Sequence, residues 1–288
     1  MICCAPEPGL PNDMDAGWQS PTTTQSDWIM VPQAAETNDR PVTWRVPLLR
    51  EWTPKIRAEL VQLALFCWRP TRRHPVDVSM SGIIWRLAAV LLAYWVSFPI
   101  TLGPILLGLT KLLGVKSTLD WSRAGMLILS VVVAPLIEEL VFRGGLRKTT
   151  MTLAVQPVLI ALLFGTWQVA LALSGVVTTV ILVDHVRQRY LDDAAKFSLH
   201  MARGRAFLTR YRLIVWGYAV VFGLVHIGNF TIATTNGWLA CLTVFMVSSQ
   251  IVTGVFLSYF RLRYGLFSAM GFHAMLNFSC FLIDKVLP

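Results

Sequence analysis

The chain has 288 residues, of which 55% are hydrophobic and only 14% charged, and its mean hydropathy is +0.58. Soluble domains carry about 25% charged residues, so a soluble globular protein is excluded; most of the apolar surface must face lipid or neighbouring membrane helices. The net charge of +9 does not point to nucleic acid. Lys and Arg gather between the apolar runs, where the positive-inside rule puts them, and no basic footprint of a nucleic-acid binder forms. The five cysteines (Cys3, Cys4, Cys67, Cys241, Cys280) are odd in number and lack metal or disulfide spacing.

Residues 1–50 read as a disordered tail: PEPGLPND, SPTTTQSD and AAETNDRP have no periodicity and little to bury. Residues 51–80 form a basic amphipathic segment. TPKIRAELVQLALFCW opens on Thr53 as N-cap and Pro54 at the first helical position. Ile56, Leu60, Leu63 and Leu65 alternate there with Lys55, Arg57 and Glu59, with Trp52 and Trp68 at the flanks. Such a helix lies in a membrane interface or packs as an ordinary amphipathic helix.

Residues 81–288 read as one transmembrane domain, an all-α bundle around a polar intramembrane cavity. Its seven apolar segments fall at 83–109, 124–145, 152–172, 174–186, 213–232, 238–260 and 265–283, against the roughly 20 residues a bilayer crossing needs. The first contains Pro99 and Pro104, which point to a break. The fourth is short and ends on Asp184 and His185, as a re-entrant piece or a helix cap would. Trp85, Trp121 and Trp238 near segment ends fit interfacial belts. The basic tracts 45–73, 147–148, 187–212 and 261–263 fall on one side of this arrangement, which places the N-terminus in the cytoplasm and the C-terminus outside.

Three polar constellations interrupt the apolar text. In GMLILSVVVAPLIEELVFRGGL, Glu139 and Arg143 are four apart and can pair on one helix face. Glu138 is turned by about 100° and is left without that partner. Ionisable groups at bilayer depth cost roughly 2.5–3.5 kcal/mol each unless paired or hydrated, so this trio needs a reason beyond packing. Phe222 and His226 are four apart in VVFGLVHIGNF, and His273 and Asn277 in SAMGFHAMLNFSC. Each pair alone reads as an interhelical hydrogen bond; together with a free glutamate they make a hydrolytic site. A carboxylate and an imidazole can deprotonate water, while an amide and a ring N–H can donate to an oxyanion.

These motifs resemble those of the CPBP family, the CAAX-processing and bacteriocin-related glutamic intramembrane endopeptidases that include the Ras-converting enzyme. EELVFR at 138–143, FGLVH at 222–226 and HAMLN at 273–277 match the family patterns EExxxR, FxxxH and HxxxN/B in order. The resemblance implies a metal-independent membrane hydrolase without cofactor, acting on a membrane-anchored protein or peptide, including prenylated CAAX-type substrates. It implies that Glu138 and His226 activate water, that His273 and Asn277 stabilise the oxyanion, and that Glu139, Arg143 and Phe222 support them. Its implied home is the bacterial inner membrane, with lipids as surroundings.

One departure from the family pattern stands out. More than eighty residues separate Glu138 from His226, whereas family members usually carry the two motifs on adjacent antiparallel helices. An insertion at about 150–212 fills the gap. Two added passes would keep the motif helices antiparallel; one would not. Two further chemistries and one different class compete with this reading. A zinc site is conceivable from two histidines and a glutamate, but HExxH is absent. A serine site has only LALSG around Ser174. A non-catalytic scaffold, immunity-type protein or transporter would use the same polar cluster without turnover.

Overall fold

The computed structural model describes residues 47–72, 75–120, 125–233 and 241–286, with side chains from residue 53. The expected disordered tail falls outside the described residues up to position 46, as do Trp121 and Trp238. What is described is a helical membrane protein whose only strands, among the described residues, are β1 (Lys116–Ser117) and β2 (Phe230–Thr231), paired antiparallel.

Helix α1 is Pro47–Trp68. It starts six residues before the expected N-cap Thr53, and Pro54 lies inside it. Pro47 takes the first position instead, where a missing N–H is harmless. Glu59, Leu63 and Phe66 share one face of α1 and are all buried, so this face packs against the bundle. Helices α2 (Met80–Ser97) and α3 (Leu102–Leu113) divide the first apolar segment at the turn containing Pro99. Ser79 caps α2 by accepting from the Gly82 amide.

The second segment is one continuous helix, α4, made of Met126–Ile128, a π turn over Leu129–Val133, and Ala134–Arg143. The third and fourth segments have different boundaries from those expected. The break falls at Gly165–Thr166, ahead of the expected boundary between 172 and 174, because Thr166 caps a new helix with its side chain. The third piece, α5 (Met151–Phe164), is therefore short, about 21 Å at 1.5 Å per residue. The fourth, α6 (Trp167–Arg189), is the long one with 23 residues. Asp184 and His185 are not an end cap; the helix runs on past both.

The basic stretch after α6 folds as α7 (Asp193–Thr209), capped by Asp192. Arg203 holds α7 to α6 by donating to both oxygens of Asp184. Helix α8 is Tyr211–Val225, closed by a 3-10 turn over His226–Asn229. After it come α9 (Thr243–Met246), α10 (Ser248–Tyr264) and α11 (Leu266–Val286). Among the described residues, four helices are long and apolar enough to cross a membrane: Met80–Ser97, Trp167–Arg189, Tyr211–Asn229 and Leu266–Val286.

The core lies where α10 packs against α8 and α11, with α4 across them. Phe142 (α4), Val215 and Phe222 (α8), Leu257 and Phe260 (α10), and Ala269 and Phe272 (α11) fill it. By contrast, α6 leaves Leu171, Val176, Val180, Ile181, Leu182 and Val183 exposed, as a lipid-facing helix does.

The end of α4 and the start of α8 sit together. Tyr211 Oη donates to the Leu146 carbonyl at 2.9 Å, and Arg261 donates to the carbonyls of Arg143 and Gly144 at 3.0 and 2.9 Å. The α5–α6 hairpin carries the chain away from this end and back to it. Hence α4 and α8 run antiparallel, the arrangement that two added passes permit.

Candidate active site

Three helices supply the polar residues. Glu138 and Glu139 come from α4, His226 from the end of α8, and His273 and Asn277 from α11. The α-helical spacing of Glu139 and Arg143 places them on one face, and they form an ion pair with Nη1–Oε1 at 2.8 Å. Both are fully buried. The same carboxylate oxygen, Glu139 Oε1, lies 3.0 Å from His273 Nδ1. A carboxylate paired with arginine only accepts, so His273 Nδ1 carries a proton.

His226 is oriented by its own helix. Its Nδ1 lies 2.7 Å from the Phe222 carbonyl, a group that can only accept, so Nδ1 again holds the proton. This leaves His226 Nε2 facing inward. It lies 3.8 Å from Glu138 Oε2, and His273 Nε2 lies 3.8 Å from that same oxygen. These separations exceed hydrogen-bond range, about 2.7–3.2 Å. Glu138 Oε2 is buried and has no hydrogen-bond partner. Two adjacent glutamates thus have opposite situations: Glu139 is held by Arg143 and His273, while Glu138 presents an unpartnered oxygen to two imidazoles.

Aromatic rings wall the cluster. Phe222 meets the His226 ring at 4.6 Å and the His273 ring at 5.8 Å, centroid to centroid. The Arg143 guanidinium lies 4.0 Å from the centre of the same ring. Phe142 packs edge-on against Phe222, and Phe164 of α5 packs on Phe142.

Asn277 lies one turn beyond His273. Its Nδ2 donates to the Ser130 carbonyl in the π turn of α4 at 2.8 Å. The acceptor settles the amide's orientation, since only Nδ2 can face a carbonyl oxygen. The structure therefore brings Glu138, Glu139, Arg143, Phe222, His226 and His273 into one contiguous cluster and ties Asn277 to the helix of the glutamates.

A second buried polar cluster escaped the sequence reading. Glu59 of α1 accepts from Tyr259 Oη at 2.7 Å and from Tyr264 Oη at 2.8 and 2.7 Å. Arg86 Nε lies 3.4 Å from it. The signal was a carboxylate in line with Leu63 and Phe66 on the buried face of α1, and it was masked by the charged neighbours Lys55 and Arg57.

A family model for Rce1-like proteins, described as type II CAAX prenyl endopeptidases, matches residues 120–184. The match contains Glu138, Glu139 and Arg143 and continues through α5 into α6, ending before His226. No curated protein and no solved structure matches the chain. The long apolar helices make this chain a multi-pass membrane protein. The match covers less than a quarter of the chain, and within it the chain is similar to the CAAX-processing proteases through the segment that carries the glutamate motif.

Proposed function

We propose that the chain is a glutamic-type intramembrane endopeptidase that hydrolyses a peptide bond of a membrane-associated, CAAX-type substrate without a metal. The observation that carries this reading is the unpartnered Glu138 Oε2 at 3.8 Å from both His226 Nε2 and His273 Nε2. One water within about 2.8 Å of Glu138 and His226 bridges such a gap. Glu138, with His226 beside it, takes the water's proton as the oxygen attacks the carbonyl carbon. The carbonyl π electrons move onto oxygen, and this oxyanion accepts from His273 Nε2 and Asn277 Nδ2. Collapse re-forms the carbonyl and breaks the C–N bond, and the proton passes to the leaving amine.

For His273 to donate from Nε2 while Nδ1 donates to Glu139, its ring must carry both protons. With Arg143 it then supplies two positive charges against the two carboxylates of Glu138 and Glu139. The site is neutral overall when His226 is neutral, which is how a buried charged cluster avoids a large desolvation cost. In the same proposal the basic tracts between the apolar helices face the cytoplasm of a bacterial inner membrane, with the N-terminus on that side, as the positive-inside rule would have it.

The test is cleavage of fluorogenic membrane-anchored and prenylated peptides by detergent-purified protein. Wild type, Glu138→Gln and His226→Ala run in parallel, with and without a chelator. Chelator-resistant cleavage that both substitutions abolish is the expected result. Cleavage that the chelator stops overturns the metal-free mechanism. Absence of cleavage by folded wild type moves the protein to a scaffold or transporter.

A further inference from the structure

Asn277 is held by a defect in the helix opposite. In an α-helix each carbonyl is taken by the N–H four residues on. Within the π turn of α4 the ladder shifts by one: the Ala134 N–H returns five residues to the Leu129 carbonyl. The next rung in that register runs from residue 135 to the Ser130 carbonyl, and residue 135 is proline, which has no N–H. The α rung to Ser130 is lost as well, because it would use the Ala134 N–H already given to Leu129. The Ser130 carbonyl is therefore left without either backbone donor, and the proline responsible stands three residues before Glu138.

That carbonyl takes the Asn277 Nδ2 at 2.8 Å. A primary amide is planar, so fixing one of its N–H bonds fixes the direction of the other. The remaining N–H has no partner among the described residues. Pro135 is itself buried, so the ring cannot swing away and let solvent satisfy Ser130 instead.

We infer that Pro135 is a positioning residue of this site: it withholds the backbone donor from Ser130, and the freed carbonyl orients the Asn277 amide. A proline on the helix that carries Glu138 thereby sets the side chain at the oxyanion position. The inference deepens the proposed peptidase mechanism and rests on it for Asn277's role, although the hydrogen bond itself does not depend on turnover.

The bond can be read without activity. Ser130–Val131 is the single Ser-Val dipeptide of the chain, so carbonyl-13C serine with 15N valine gives one carbonyl–amide correlation, that of the Ser130 carbonyl. In detergent-solubilised protein, Asn277→Ala is expected to move this carbonyl carbon upfield through loss of its donor. Pro135→Ala, placed on Asn277→Ala, is expected to move it back as the restored N–H takes over. A carbonyl unmoved by Asn277→Ala overturns the inference, whether or not the protein cleaves anything.

Activity supplies the second arm. Pro135→Ala is expected to lower kcat about 10- to 100-fold, the scale of a misplaced catalytic group, with KM little changed. The double variant Pro135→Ala/Asn277→Ala is expected to be no slower than Asn277→Ala alone. Losses that multiply instead show that Pro135 acts independently of Asn277, and they overturn the positioning role. Should Pro135→Ala fail to fold, the Asn277→Ala carbonyl shift still decides the bond. Wild type that cleaves nothing sinks the peptidase reading and leaves the carbonyl measurement to decide the bond by itself.

Discussion

The Arg143 guanidinium lies 4.0 Å over the ring of Phe222, so the glutamate motif on α4 and the first histidine motif on α8 are joined face to face. Arg143 satisfies Glu139 through Nη1 and leaves Nε and Nη2 without hydrogen-bond acceptors. The ring's negative face compensates part of that deficit, as a desolvated cation–π contact of about 2 kcal/mol does. Phe222 then holds both histidine rings on its other contacts. This explains why a phenylalanine belongs to a motif whose chemistry is otherwise polar.

Phe222→Leu keeps volume and removes the quadrupole, whereas Phe222→Ala removes both. The expected cost is about 3–5 kcal/mol for Ala, as for other buried phenylalanines. For Leu, the cation–π share of about 2 kcal/mol is expected to be lost. Thermal unfolding of the detergent-purified variants measures both. Equal melting of wild type and Phe222→Leu would show that the guanidinium gains nothing from the ring.

Glu138→Gln is expected to leave folding intact and reduce cleavage by at least 100-fold, the lower end for a lost general base. Glu138 has no hydrogen bond to lose at Oε2, so its removal spares the network. Glu139→Gln is the contrasting case. It strips the partner of a fully buried Arg143 and is expected to destabilise by about 3–5 kcal/mol. A chaotrope titration of the two variants side by side separates a chemical residue from a structural one. The same cost in both would erase the distinction between the two carboxylates.

How much of this was legible in the sequence depends on which physical signal a residue sends. Glu138, Glu139, His226 and His273 stand out because charge or imidazole in an apolar run is expensive, and their helical spacing gives the Glu139–Arg143 pair outright. The break at 165–166 was missed because LLFGTWQVALALSG is apolar on both sides, and hydropathy does not register a single Thr cap. The early start of α1 was missed for a related reason: Pro47 and Pro54 both suit a first turn, and only packing chooses between them. The anchoring of Asn277 was invisible, since it depends on a carbonyl orphaned by a proline on a different helix.

Glu59 gives a prediction of a different kind. It ties α1 to the end of α10 and to Arg86 of α2 through two tyrosines and a guanidinium. Glu59→Ala takes the carboxylate from Arg86 and from the buried Tyr259 hydroxyl, while Tyr264 Oη keeps its bond from Arg263 Nε, and is expected to cost about 3–5 kcal/mol. Tyr259→Phe deletes one hydrogen bond to a charged acceptor and is expected to cost about 1.5–3 kcal/mol. Limited proteolysis within 69–79, which connects α1 to α2, reads whether α1 has been released. Unchanged protection in Glu59→Ala would mean that Leu63 and Phe66 hold α1 by packing alone.

The crossing of α8 over α10 depends on two glycines, and it sets where His226 ends up. A Cβ on Gly254 would sit 3.0 Å from the Ala219 Cα and 3.3 Å from its carbonyl oxygen, both backbone atoms that cannot turn aside. A Cβ on Gly223, three residues before His226, would sit 2.4 Å from Ile251 Cγ1 and 3.2 Å from the Val247 carbonyl. Membrane helices associate through such close backbone approach, because lipid offers no hydrophobic drive between them. Gly254→Ala must therefore push α8 and α10 apart, with an overpacking cost of about 1–3 kcal/mol. The shift is carried along α8 to His226, which faces Glu138 across a gap of only 3.8 Å. We expect Gly254→Ala and Gly223→Ala both to lower kcat more than they raise KM, and part of the lost rate to return when Ile251→Ala removes the Cγ1 that Gly223→Ala meets. Gly254→Ala, whose clash is with backbone, should find no rescue in Ile251→Ala, and a rescue there would place the steric conflict elsewhere than the α8–α10 crossing.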